Sequence, residues 1–130
     1  MKRLAAICCC CATIFSFPLH AQEPAPPELE ALIAPSLDPA TGIAFARTQI
    51  GDNDLLGAAG TLERVMIVNH DAHDARLLYA SVLCRLDDAA GARVELSLLR
   101  GQDVTDPAWA EVTAACGALP RPQIQPEGGQ

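Results

Sequence analysis

Two histidines and two aspartates share one short stretch, Asn69–Asp74, where they could hold a metal ion. His70 and His73 are three residues apart, and a carboxylate follows each of them. Zinc requires three or four well-placed ligands and outer groups that orient them. The same residue types are typical of a turn between helices, where Asp71 or Asp74 could cap the next helix. The stretch therefore favours a turn, with a His-based metal site as the least favoured alternative.

The sequence lacks the patterns that indicate catalysis. Ser81 and Ser97 lie outside any Gly-x-Ser-x-Gly turn and have no His and acidic partner at a recognisable spacing. A glycine-rich phosphate loop and a His-Glu-x-x-His motif are also missing from the sequence. We therefore expect no enzymatic activity and no cofactor.

The N-terminus has the composition of a secretory signal peptide, residues 1–21. Lys2 and Arg3 precede the uncharged apolar run Leu4–Phe17, and Ala21 is a suitable cleavage site. The run is shorter than the ~20 residues that span a bilayer. Cleavage after Ala21 removes Lys2 and Arg3, so the formal charge of the chain changes from −7 to −9. This negative charge disfavours nucleic acid and anionic lipid as partners. We expect an exported mature chain that does not span a membrane. The periplasm is the expected location, and secretion is the alternative.

Cleavage after Ala21 leaves two of the six cysteines, Cys84 and Cys116. An even number of cysteines in an oxidising compartment favours a disulfide. A bond that closes a loop of about 32 residues stabilises a fold by ~2–4 kcal/mol. The alternative is a pair of small buried thiols that never meet. Because the spacing is not Cys-x-x-Cys, a redox role is not predicted.

Residues 37–118 have the periodicity of α-helices. Apolar residues recur at three- and four-residue spacing in several stretches, and none alternates with the period of a strand. Residues 22–36 are predicted to form a proline-rich linker with a short helix near Glu28–Ala34. Residues 119–130 are predicted to be a disordered tail. The predicted fold class is all-α.

Aspartate, proline and glycine residues mark the expected helix ends. The predicted caps are Asp38, Asp54, Asp87 or Asp88, Asp106 and Gly101.

A shift of 34 residues aligns the chain with itself without a gap. It places small residues on small ones and large residues on large ones, namely Ala46 on Ala80, Ala58 on Ala92, Leu62 on Leu96 and Phe45 on Tyr79. Two antiparallel helices approach closely only where facing side chains are small, and larger residues fill the space between neighbouring pairs. On these residues the chain resembles a tetratricopeptide repeat (TPR) protein.

The resemblance implies two helical hairpins, residues 39–72 and 73–106, with a capping helix from Pro107 to about Ala118, in a short α-solenoid. Two repeats are fewer than the three or so that a solenoid usually needs. A terminal helix, the disulfide, a second copy of the chain or a larger partner must therefore cover the ends. A small helical bundle without repeats is the alternative fold.

In the TPR family the first helices of the repeats line a concave groove that receives peptides or segments of other proteins. Carried over by position, this surface consists of Ile43, Arg47, Ile50, Asp74, Leu77, Ser81 and Arg85. Such a short, mildly apolar groove edged by arginines suits an extended or helical segment with an acidic residue or C-terminus. A solvated helix face without a binding role is the alternative.

The expected function is that of an exported protein–protein interaction or assembly module. Residues 75–80 and 91–96 resemble periplasmic TPR domains beside or fused to outer-membrane export and assembly barrels, so such a component is a candidate partner. The alternative is a disulfide-stapled helical scaffold that homodimerises through its open repeat ends.

Overall fold

The computed structural model describes residues 27–124, and all regular structure in this range is helical. The α-helices in chain order are α1 (Pro27–Ile33), α2 (Pro39–Gly51), α3 (Leu55–Val68), α4 (His73–Arg85), α5 (Ala89–Ser97) and α6 (Asp106–Cys116). Short 3-10 turns occupy Ala34–Leu37 and Gly101–Asp103. The all-α prediction is confirmed. The predicted signal peptide, the start of the predicted linker and residues 125–130 lie outside the described residues.

Helix α4 is at the centre of the packing. It contacts α3 and α5, which adjoin it in the sequence, and also α2 and α6. Polar contacts accompany this packing: the Tyr79 hydroxyl donates to Glu63 of α3, and Arg76 donates to Glu95 of α5. Burial is the main cause that raises the pKa of Tyr79 above its ordinary value, and the hydrogen bond to Glu63 acts in the same direction.

Within residues 27–124, every helix falls short of the length and apolarity that a membrane crossing requires.

The core consists of two clusters, one on each side of α4. The first joins α2, α3 and α4, and the second joins α4, α5 and α6. Four pairs that the 34-residue shift aligns are buried in both halves of the chain, namely Ala46 and Ala80, Ala58 and Ala92, Leu62 and Leu96, and Val65 and Leu99. In the pair Phe45 and Tyr79, Tyr79 is buried and Phe45 is half-buried. The alanines let neighbouring helices approach, and the larger residues fill the remaining space.

Aspartates cap three helices as predicted. The Asp38 carboxylate accepts from the Thr41 backbone N–H at 2.8 Å, and this bond lowers the pKa of Asp38. Asp54 accepts from the Gly57 N–H at 2.9 Å, and Asp88 accepts from the Gly91 N–H at 2.8 Å. Of the two candidates for α5, Asp88 is therefore the cap.

Other predicted caps have different positions. Ala72, which carries no side-chain acceptor, precedes α4, so neither Asp71 nor Asp74 is its cap. Thr105 precedes α6, and Asp106 is the first helical residue. The Asp106 carboxylate instead accepts from Arg121 at 2.6 Å, a partner that lies 15 residues away in the sequence.

The prediction that Gly101 ends a helix is also wrong. Helix α5 ends at Ser97, and Gly101 is buried at the start of a 3-10 turn. Residues 119–124, which we name the C-terminal segment, lie against this turn, where the Gly101 N–H donates to the Gln123 carbonyl at 2.9 Å. Residues 119–124 have no regular secondary structure, and local composition does not reveal these tertiary contacts.

We expect Ala46→Leu to lower the free energy of unfolding by about 1–3 kcal/mol, because the added atoms have no space between α2 and α3. Urea denaturation would measure the loss. The matched control is Ala44→Leu on the exposed side of α2, which should change stability by less than about 0.5 kcal/mol. Equal effects of the two substitutions would contradict the close helix packing.

Candidate binding groove

Helices α2, α4 and α6 border a depression that we name the central groove. It contains two adjoining cavities of about 270 Å³ and 400 Å³. The smaller cavity is lined by Ile43, Arg47, Asp74, Leu78, Thr105, Pro107, Ala108 and Glu111. The larger cavity is lined by Ile50, Ser81, Arg85, Glu111, Ala114 and Ala115. Three helices that are separated in the sequence thus contribute to one surface.

An ion pair between Arg47 of α2 and Glu111 of α6 crosses the central groove. Two parallel hydrogen bonds of 2.8 and 2.9 Å join the guanidinium to the carboxylate. The side chains are 53% and 37% exposed, so solvent screens much of their attraction. The hydrogen bonds to Glu111 raise the pKa of Arg47, partly opposed by burial, and the nearby charges of Glu111 and Asp74 act in the same direction as the bonds.

Six of the seven predicted groove residues line these cavities. Ile43, Arg47 and Asp74 border the smaller cavity. Ile50, Ser81 and Arg85 border the larger one. The structure therefore brings together residues from α2 and α4 that are far apart in the sequence.

Leu77 is the exception and is not a groove residue. Its side chain is 1% exposed and belongs to the core cluster between α4, α5 and α6. The following residue, Leu78, lines the smaller cavity instead. Because α6 packs on α4, the side of α4 that carries Leu77 is covered.

Ser81 contributes to the floor of the groove. It is 3% exposed, and its hydroxyl donates to the Leu78 carbonyl at 2.7 Å. The proton that a ligand could have accepted is thus already used within α4. The small Ser81 side chain leaves room above it, and its hydroxyl hydrogen bond lies within α4.

The wall formed by α6 was not predicted. A second shift of 34 residues carries Ile43 through Leu77 to Glu111, and Arg47 through Ser81 to Ala115. The repeat spacing therefore contained the signal for Glu111 and Ala115. A capping role for the last helix does not by itself indicate that this helix also borders the groove.

Arg85 gives the larger cavity a positive charge. Within residues 27–124 it has no ion-pair partner, whereas Glu111 of the same cavity is paired with Arg47. The alanines Ala114 and Ala115 leave space beside it. The larger cavity can therefore receive an anionic group more readily than a cationic one.

The histidine-rich stretch forms the turn between α3 and α4. His70 is exposed, and the His73 Nε2 lies 3.6 Å from Asp103 Oδ1. The backbone N–H of Arg100 donates to Asp103 and lowers the pKa of that carboxyl. Among residues 27–124, no group of three or more His, Cys, Asp or Glu side chains is arranged to hold a metal ion.

Cys84 of α4 and Cys116 of α6 lie at disulfide distance, with Sγ atoms 2.04 Å apart and Cα atoms 5.1 Å apart. Each is next to a lining residue of the larger cavity, Arg85 or Ala115. The bond therefore fixes the α6 wall of the groove to its α4 floor.

No family model, curated protein or solved structure matches the chain. The geometry of the groove is therefore the basis for interpreting it.

We expect the chain without residues 1–21 to gain the mass of two hydrogens on reduction, since the Cys84–Cys116 bond opens. The substitution Cys84→Ser/Cys116→Ser should lower the free energy of unfolding by ~2–4 kcal/mol and show no mass change. Intact-mass spectrometry and urea denaturation would measure the two effects. A wild-type mass that is the same before and after reduction would refute the bond.

The Arg47–Glu111 pair should show a coupling energy of about 0.2–1 kcal/mol in a double-mutant cycle, because both side chains are partly exposed. Arg47→Met, Glu111→Gln and the double variant form the cycle, with urea denaturation as the measurement. The exchanged pair, Arg47→Glu with Glu111→Arg, should recover part of the loss. Strictly additive single effects would mean that the contact contributes nothing.

Proposed function

We propose that this chain is an exported TPR-type interaction module, without catalytic activity, that binds a segment of another protein in the central groove. The observation that carries the proposal is the convergence of α2, α4 and α6 on two adjoining cavities bordered by Arg47, Asp74, Arg85 and Glu111. Charged groups of both signs around an apolar floor are typical of surfaces that orient a partner.

The size of the cavities supports a peptide segment as the ligand. Pockets that enclose a drug-sized molecule measure roughly 300–1,000 Å³. The cavities of about 270 and 400 Å³ reach only the lower end of this range, and both are open and adjoin each other, so they suit successive side chains of one segment. The smaller cavity, bordered by Arg47, Asp74 and Glu111, fits a polar side chain, and the larger one fits an acidic side chain beside Arg85.

Charge argues for recognition at short range. The chain carries a formal charge of −7, so its overall field repels an acidic partner at a distance. The exposed cation Arg85 attracts a carboxylate only after the segment has entered the groove. Exclusion of water by the apolar floor strengthens this contact.

The assignment to the TPR type is supported by the 34-residue self-alignment and by the burial of its aligned pairs in both halves of the chain. The assignment to an exported protein is supported by the signal-peptide pattern and by the cysteine pair at bonding distance. The resemblance to TPR domains beside outer-membrane barrels favours an export or assembly component as the partner.

We expect the chain without residues 1–21 to recover a partner from periplasmic extract, and Arg47→Glu/Arg85→Glu to lose at least about 90% of it, because both groove cations are reversed. The matched control is Ala44→Glu/Ala90→Glu, which adds two negative charges at exposed helix positions outside the central groove and should recover the partner normally. Mass spectrometry would quantify recovery.

Equal recovery by all variants would show that the central groove is not the binding surface. Elution of the wild-type chain as a stable dimer, together with equal recovery, would favour the alternative of a homodimeric scaffold.

A further inference from the structure

The C-terminal segment, residues 119–124, occupies a second groove away from the central one. We name this surface the tail groove; it is formed by α5, the turn Gly101–Asp103, Val104 and Asp106. A cavity of about 390 Å³ lies between residues 119–123 and the side chains of Arg93, Leu96, Ser97 and Leu99. The segment thus lies on the surface without filling the space beneath it.

The backbone of the segment is recognised at Gly101. The Gly101 N–H donates to the Gln123 carbonyl at 2.9 Å. A Cβ atom at position 101 would lie 2.3 Å from the backbone N of Ile124. Only glycine permits this approach of two backbones.

Side chains anchor the segment at two further points. The Arg121 guanidinium donates to Asp106 Oδ1 and to the Val104 carbonyl, both at 2.6 Å. Leu119 packs against the core cluster between α4, α5 and α6. Pro120 and Pro122 alternate with these contacts, and each proline restricts its φ angle, which lowers the entropy lost on binding.

These contacts are those of a peptide in a recognition groove. One apolar side chain, one cation on a carboxylate and one backbone hydrogen bond hold an extended proline-containing segment. The open cavity beneath the segment means that few atoms hold it in place, so it can be released at low cost.

We propose that the tail groove is a binding site for an extended segment of another protein with the pattern apolar–Pro–Arg–Pro, and that residues 119–124 occupy it in cis until displaced. Gly117, with φ 75°, has open space around its Cα and connects α6 to the segment. Because this connection is short, the effective concentration of the segment is on the order of millimolar. A partner therefore binds well only when the segment is released. This proposal does not depend on the function of the central groove.

The test uses the full mature chain and a labelled peptide with the sequence of residues 119–124, followed by fluorescence anisotropy. In the Arg121→Glu chain, the segment loses its bonds to Asp106 and to the Val104 carbonyl and places a like charge beside Asp106. This chain should therefore bind the peptide at least about tenfold more tightly than the wild-type chain does. Asp106 is 88% exposed, so loss of its partner leaves the core intact.

Two controls test the contacts. A peptide with Glu in place of its Arg should bind neither chain, and this control is independent of protein folding. The chain Gly101→Ala/Arg121→Glu should lose the peptide, because the added Cβ occupies the position of the peptide backbone. Circular dichroism and thermal unfolding would verify that each variant is folded.

Equal binding of both peptides by the folded Arg121→Glu chain, or binding of neither, would overturn the proposal. A wild-type dimer that Arg121→Glu dissociates would also overturn it, because the occupant in trans would then be the segment of a second copy.

Discussion

The burial of α4 is the constraint on which the rest of the structure depends. Seven of its residues, from Ala75 to Val82, are buried, and it contacts α2, α3, α5 and α6. Several helices can pack closely around one helix only where its side chains are small. Ala75 and Ala80 are small buried residues of α4. The central groove is a result of this packing, because α2 and α6 both lie on α4 and leave part of it open between them.

Much of the local structure could be predicted because it depends on residues close in the sequence. The apolar periodicity indicates the helices, and the caps Asp38, Asp54 and Asp88 each bond a backbone N–H three residues further on. The repeat spacing also indicates the side of α2 and α4 that faces the groove. It differs from the structure at one position, where Leu78 lines the groove in place of Leu77. These features need no knowledge of distant partners.

What could not be predicted depends on contacts between distant residues. Asp106 has the residue type and position of a cap, but Arg121 provides a charged partner for it. Gly101 has the residue type of a helix end, but its role is to admit the backbone of Gln123 and Ile124. The repeat spacing places Glu111 on the groove side of α6, but its pairing with Arg47, 64 residues away, depends on how α2 and α6 pack.

The covalent link between α4 and α6 makes the stability of the central groove dependent on a redox reaction. Where thiols stay reduced, α6 is attached to α4 by packing alone, and the wall that carries Glu111 is correspondingly easier to detach. Oxidation of the two thiols therefore stabilises the position of this wall against α4. The redox state of Cys84 and Cys116 thus decides how rigidly the central groove keeps its shape.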